Sequence, residues 1–143
     1  MQLFSRHTRR SLMIAAVLAG ACAAVSAATI EVRVSGVSAA KGKVAVAVCD
    51  KATFLKDCVH STTAPATEGE TVVTIKDVPA GNWAVLAYQD ANNNGKLDRN
   101  FVGMPTEKYG FSRDARGSFG PPDFEEAAFA VSSETVSTVV KLR

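Results

Sequence analysis

An all-β fold, a single antiparallel β-sandwich with one short helix and one long ordered loop, is the class this sequence predicts, on three observations. Short apolar stretches alternate with polar residues at period two, clusters of glycine, proline and asparagine separate them, and helical periodicity is nearly absent beyond the first 27 residues. A chain of 143 residues with 47% hydrophobic and 21% charged residues has room for one such domain.

Residues 1–27 stand apart from that domain. Arg6, His7, Arg9 and Arg10 make a basic start, Leu12 to Val25 an apolar run too short for a membrane span, and Val25-Ser26-Ala27 a small-residue cleavage site, so the segment reads as a cleaved signal peptide and residues 28–143 as the β-sandwich domain. The expected compartment is the periplasm or the exterior. Thr8-Arg9-Arg10-Ser11-Leu12-Met13 resembles a twin-arginine export signal, and attachment to a membrane is expected only if Cys22 is lipidated. Without the three arginines of the leader, 13 of the chain's 16 basic side chains face 14 acidic ones. That balance argues against nucleic acid as a partner.

In the domain, Ile30, Val32 and Val34 alternate with Glu31 and Arg33, the pattern of a strand with one buried face. Val44 to Cys49 is apolar on both faces and suits an interior strand. Asp50 is placed to cap a short helix over Lys51 to Asp57, and His60 to Gly69, rich in Thr, Ala and Pro, reads as loop. Thr71 to Lys76 is a third strand. Pro79 and Gly81 fit a type I turn that delivers the chain into a fourth, Trp83 to Gln89, with Trp83, Val85 and Ala87 on one face and Leu86 and Tyr88 on the other. Ala91 to Glu126 has no periodicity but holds five of the ten aromatics, Phe101, Tyr109, Phe111, Phe119 and Phe124. Disordered segments are poor in aromatics, so it reads as a packed binding loop. Ala127 to Val131 and Val136 to Leu142 read as a terminal hairpin. These short strands favour a sandwich of immunoglobulin-like or prealbumin-like kind.

The fourth strand runs into Asp90-Ala91-Asn92-Asn93-Asn94-Gly95-Lys96-Leu97-Asp98. Oxygen-bearing side chains at alternate positions, Asp90, Asn92 and Asn94, then a glycine, the Lys96 carbonyl and Asp98, are what a loop needs to wrap Ca2+. Position twelve of an EF-hand loop would be Phe101 instead of Glu, so a true EF-hand is not expected. Two carboxylates leave a divalent charge short of ligands, and Glu125 or Glu126, where the loop re-enters the sandwich, are the attractive suppliers of a third. The competing reading is a tight Asn94-Gly95 turn among good turn formers.

Cys49 and Cys58, an even pair in an exported chain, predict a disulfide over two buried free thiols. Zinc lacks the four protein ligands it requires.

At Val78-Pro79-Ala80-Gly81-Asn82-Trp83-Ala84-Val85 the chain is similar to prealbumin-like and carboxypeptidase-regulatory-like domains. Together with Asp90 to Asp98, Gly103-Met104-Pro105, Tyr109-Gly110-Phe111-Ser112, Gly120-Pro121-Pro122 and Phe124-Glu125-Glu126-Ala127, it resembles a bacterial exported family known only as domain of unknown function 2141. The resemblance covers the whole domain and implies an exported β-sandwich without an assigned activity or catalytic residues.

Catalysis fares poorly on the residues present. Past the leader the one histidine is His60, and neither Gly110-Phe111-Ser112 nor Gly117-Ser118-Phe119-Gly120 has a nucleophile elbow's spacing. Asp114, Asp123, Glu125 and Glu126 keep a carboxylate-dependent hydrolase of a cell-envelope substrate as the alternative. The expectation is a non-catalytic module that binds a protein or carbohydrate of the cell envelope through its aromatic loop.

Overall fold

The computed structural model describes residues 27–132 and 134–143. The expected leader, with Arg9, Arg10 and Cys22, lies outside the described residues apart from Ala27, which opens the first strand. Eight strands and one helix follow in order: β1 (Ala27–Val37), β2 (Lys43–Cys49), β3 (His60–Pro65), β4 (Gly69–Pro79), β5 (Gly81–Asp90), β6 (Tyr109–Phe111), α1 (Phe124–Ala127), β7 (Phe129–Val131) and β8 (Val136–Lys141). They form two sheets, β4-β1-β8 and β3-β2-β5-β6, and β7 pairs with the opening residues of β5.

The period-two stretches supply the space between the sheets. Ile30, Val32 and Val34 from β1, Val44, Val46 and Val48 from β2, Val73 and Ile75 from β4, and Trp83, Val85 and Ala87 from β5 bury the same side of each strand in one cluster. Full burial of each such aliphatic side chain is worth about 1.5–3 kcal/mol. A second, smaller cluster lies outside the five-stranded sheet, where Cys49, Ala84 and Phe111 meet Phe54 and Ala127, with Leu86, Tyr109 and Phe124 against them.

Four details depart from the sequence reading. β7 and β8 are not a hairpin: β7 pairs with β5 and β8 runs beside β1, and that last pairing is parallel, so the sandwich is not wholly antiparallel. The short helix is at Phe124–Ala127 instead of 51–57, and the Glu126 carboxylate accepts the Asp123 N–H at its start. Over 51–57 Asp50 does accept the Thr53 N–H at 2.8 Å, but Leu55 takes φ 60° and the chain doubles back so that Cys49 and Cys58, 4.6 Å apart at Cα, are joined by a disulfide. A helix would have carried the chain away at about 1.5 Å per residue. Finally, His60–Pro65 is a strand. Its alternation of Ser and Thr is polar enough to pass for loop, yet it pairs with β2 along its length, as edge strands with one watery face do.

The sheets are also tied together at β6. The Tyr109 N–H donates to the Arg143 carbonyl at 3.3 Å, the Arg143 N–H returns to Tyr109 at 3.1 Å, and Ser112 bridges to Val140. Gly110 is what allows the approach, since a Cβ there would lie 2.3 Å from the Lys141 carbonyl oxygen.

Candidate functional site

The outward face of the five-stranded sheet carries both the Asp90 loop and a groove. Cross-strand register sets two rows on that face, Thr63-Ala45-Tyr88-Tyr109 and Ser61-Ala47-Leu86-Phe111. Small residues on β3 and β2 and large ones on β5 and β6 leave a trough over β2 and β3. Residues of the long loop, Leu97, Arg99, Met104, Pro105, Phe119 and Pro121, and of the disulfide-closed turn, Leu55, Lys56 and Cys58, wall it into a groove of about 1040 Å³. That is ample for a small organic ligand.

The Asp90 loop forms one wall. Asp90, last residue of β5, is 1% exposed, and its carboxylate accepts the N–H groups of Asn94 at 3.0 Å and Gly95 at 2.9 Å. Asn93 and Gly95 take φ of 57° and 79°, which tightens the turn around it. Asn92 and Asn94 each bond a backbone N–H two residues on, and their side-chain amides both donate to Asp98 at 2.6 Å. Lys96 joins only through its N–H. The turn that follows, closed by the Asn100 side chain accepting from Val102 and Met104, returns Glu107 to the loop, where it accepts the Ala91 and Asp98 N–H groups at 3.0 Å each. Burial, then Asp90, Glu107 and Asp98 in that order, push the Tyr88 hydroxyl up from its ordinary pKa.

Asp90, Asn92, Asn94 and Asp98 are therefore brought together, while Glu125 and Glu126 are engaged elsewhere. Glu125 pairs with Lys51, whose hydrogen bond and charge hold the carboxyl below its usual range and raise the ammonium in turn. Glu126 accepts the Asp123 N–H at 2.9 Å within its own cap. The carboxylate at the loop is Glu107, which sequence reasoning missed. No local spacing relates it to Asp90, and only the chain's return through the turn at residues 100–104 does so. Among the described residues no group of three or more His, Cys, Asp or Glu is close enough together to hold a metal ion, and in this structure the loop's carboxylates are satisfied by N–H groups and amides.

The five loop aromatics divide. Phe111 and Phe124 pack against Phe54, with ring centroids 6.0 and 5.7 Å away, and Tyr109 meets Phe111 edge-on at 6.0 Å. Phe119 at the groove and Phe101 at the tip of the 100–104 turn are fully exposed, at 106% and 100%, and Met104 between them is 60% exposed. Such side chains gain nothing from the core.

Groups that a hydrolase would use have other partners. Ser112 is buried, donating to the Ala127 carbonyl at 2.6 Å and accepting the Val85 N–H at 2.9 Å. His60 stacks edge-on against Trp83 at 5.4 Å. Asp114 is held well below the usual carboxylate range by hydrogen bonds from Arg143, at 2.6 and 2.9 Å, and from Arg116 at 3.1 Å.

Residues 32–139 match the model of a family described as an uncharacterized protein conserved in bacteria (DUF2141). Neither the curated proteins nor the solved structures offer a match.

Proposed function

The chain belongs to the DUF2141 family of uncharacterized bacterial proteins, and from that premise we propose that it is an exported, non-catalytic binding domain of the cell envelope whose ligand seats in the groove on the outward face of the five-stranded sheet. The observation that carries this reading is the groove itself, with Phe119 and Met104 standing exposed at a rim built on a rigid sheet. The partners already taken by Ser112, His60 and Asp114 favour binding over hydrolysis. Calcium is the ion the Asp90 loop would take. The Asn92 and Asn94 amides would have to turn over so that oxygen instead of N–H faced Asp98, and Glu107 would stand as the third carboxylate beside the loop.

A small-molecule panel followed by amide NMR tests the reading. Shifts are expected to cluster on residues 45–47, 61–63, 86–88 and 95–105 and to vanish in Ala45→Trp, which fills the trough while the other face of β2 keeps its core. A panel that leaves these amides unmoved, or shifts that persist in the filled variant, would count against it. Export is tested by N-terminal sequencing of the secreted protein, expected to begin near Ala28.

A further inference from the structure

Resting on the groove as the binding site, we infer that its ligand is a small aromatic anion. The inference comes from the charge of the lining. Only two charged side chains border the groove, Lys56 on the disulfide-closed turn and Arg99 on the long loop, and both are cations. Among the described residues neither belongs to a salt bridge. Arg99 is oriented by one donation to the Gly103 carbonyl at 3.0 Å and Lys56 by one to the Ala52 carbonyl at 3.4 Å. Neutral acceptors leave both charges uncompensated, beside a surface with the apolar area to seat a ring.

No carboxylate lines the groove: Asp90, Asp98 and Glu107 turn their oxygens to the N–H groups and amides of their own loop. Tyr88 is among the lining side chains. The walls favour a ring over a flexible chain. The trough floor is a sheet surface of Ala45 and Ala47, flat because it lacks bulk, and Tyr88, Tyr109 and exposed Phe119 offer faces or edges on which a planar molecule stacks. An anionic substituent then reaches the two cations at the rim, where Arg99 adds a planar fork suited to a carboxylate or sulfonate.

Three probes separate the parts of this inference: 2-naphthalenesulfonate, neutral 2-naphthylmethanol, and octanoate, each titrated into the protein and followed by amide NMR at moderate salt. The expected result is saturable shifts around the groove, with the sulfonate about tenfold tighter than the alcohol, and that advantage lost in Lys56→Gln/Arg99→Gln, whose thermal melt should stay that of the parent. The alcohol binding the groove as well as the sulfonate, or the double variant keeping the preference, overturns the anion assignment and leaves the binding site intact. Octanoate binding more tightly than the sulfonate overturns the aromatic half. No groove shift with any probe overturns the inference, and the groove reading itself falls only if the wider panel also leaves those amides unmoved.

Discussion

Replacing Gly110 with alanine tests how the two sheets are held together. The added Cβ would meet the Lys141 carbonyl oxygen at 2.3 Å, its carbon at 2.9 Å and Val140 Cγ1 at 3.1 Å, where ordinary contact begins at 3.4 Å. Two of the three are backbone atoms, which cannot swing aside as a side-chain tip does. β6 must retreat from β8 by about 1 Å, an overpacking cost of about 1–3 kcal/mol. That retreat also stretches the Tyr109 and Arg143 backbone hydrogen bonds, now 3.3 and 3.1 Å, beyond useful length. Each is worth about 0.5–1.5 kcal/mol. The expected loss is about 2–6 kcal/mol, readable as a fall of roughly 10 °C or more in Tm and as a lower midpoint in urea with m unchanged. Gly120 is the control: a Cβ there meets nothing within 4 Å, so Gly120→Ala should stay within about 0.5 kcal/mol of the parent. If Gly110→Ala also stays within that margin, the β6–β8 seam does not support the fold.

Other expectations follow from the same geometry. Calcium at about 100 times a Kd of roughly 10⁻⁴ M should raise stability by about 2.7 kcal/mol. A melt unchanged between chelator and 10 mM calcium would leave the Asp90 loop as a turn and nothing more. Reducing the Cys49–Cys58 disulfide, which closes a loop over nine residues, should cost about 2.6 kcal/mol by the chain-entropy estimate; two freely alkylatable thiols in the native protein would remove the premise. Asp114, its carboxyl lowered by Arg143 and Arg116, contributes stability that is present above its unfolded pKa of about 4 and lost as pH falls below it toward the folded value. Asp114→Asn should therefore flatten the acid limb of a stability-pH profile and leave its slope at neutral pH alone, and an unchanged acid limb would mean the Arg143 pair does not persist in solution.

What was legible in the sequence was whatever a single strand or turn encodes by itself. Val44, Val46 and Val48 against Ala45, Ala47 and Cys49 placed β2 in the interior with two distinct faces, and both faces are used as that alternation implies. The turn chemistry of Asp90 to Asp98 was equally local, which is why the Asn92, Asn94 and Asp98 side chains meet and the Asp90 carboxylate accepts the Asn94 N–H. Helix placement failed because the same N-cap signal occurs twice. Asp50 and Asp123 both open a turn, and only the second is free of a disulfide that folds the chain back. β3 was hidden by composition, since Ser61 and Thr63 face water while His60, Thr62 and Ala64 turn inward. The site's remaining members, Glu107 behind the loop and the Lys56 and Arg99 pair at the rim, come together through pairings between distant segments. No window of sequence contains them.

The parallel pairing of β1 with β8 has a consequence for how the molecule is made. β1 is the central strand of its sheet, and Ile30 finds its second neighbour only at Val136. A growing chain that has produced β4 can zip one side of β1, but the other side stays a bare row of N–H and C=O groups until β8 is synthesised. Completion of the core is thereby deferred until β8 emerges, and contacts of such long sequence separation make that step slow. A chain cut short before residue 136 would expose Val32 and Val34 on an unpaired strand, a template for association with other unfinished copies.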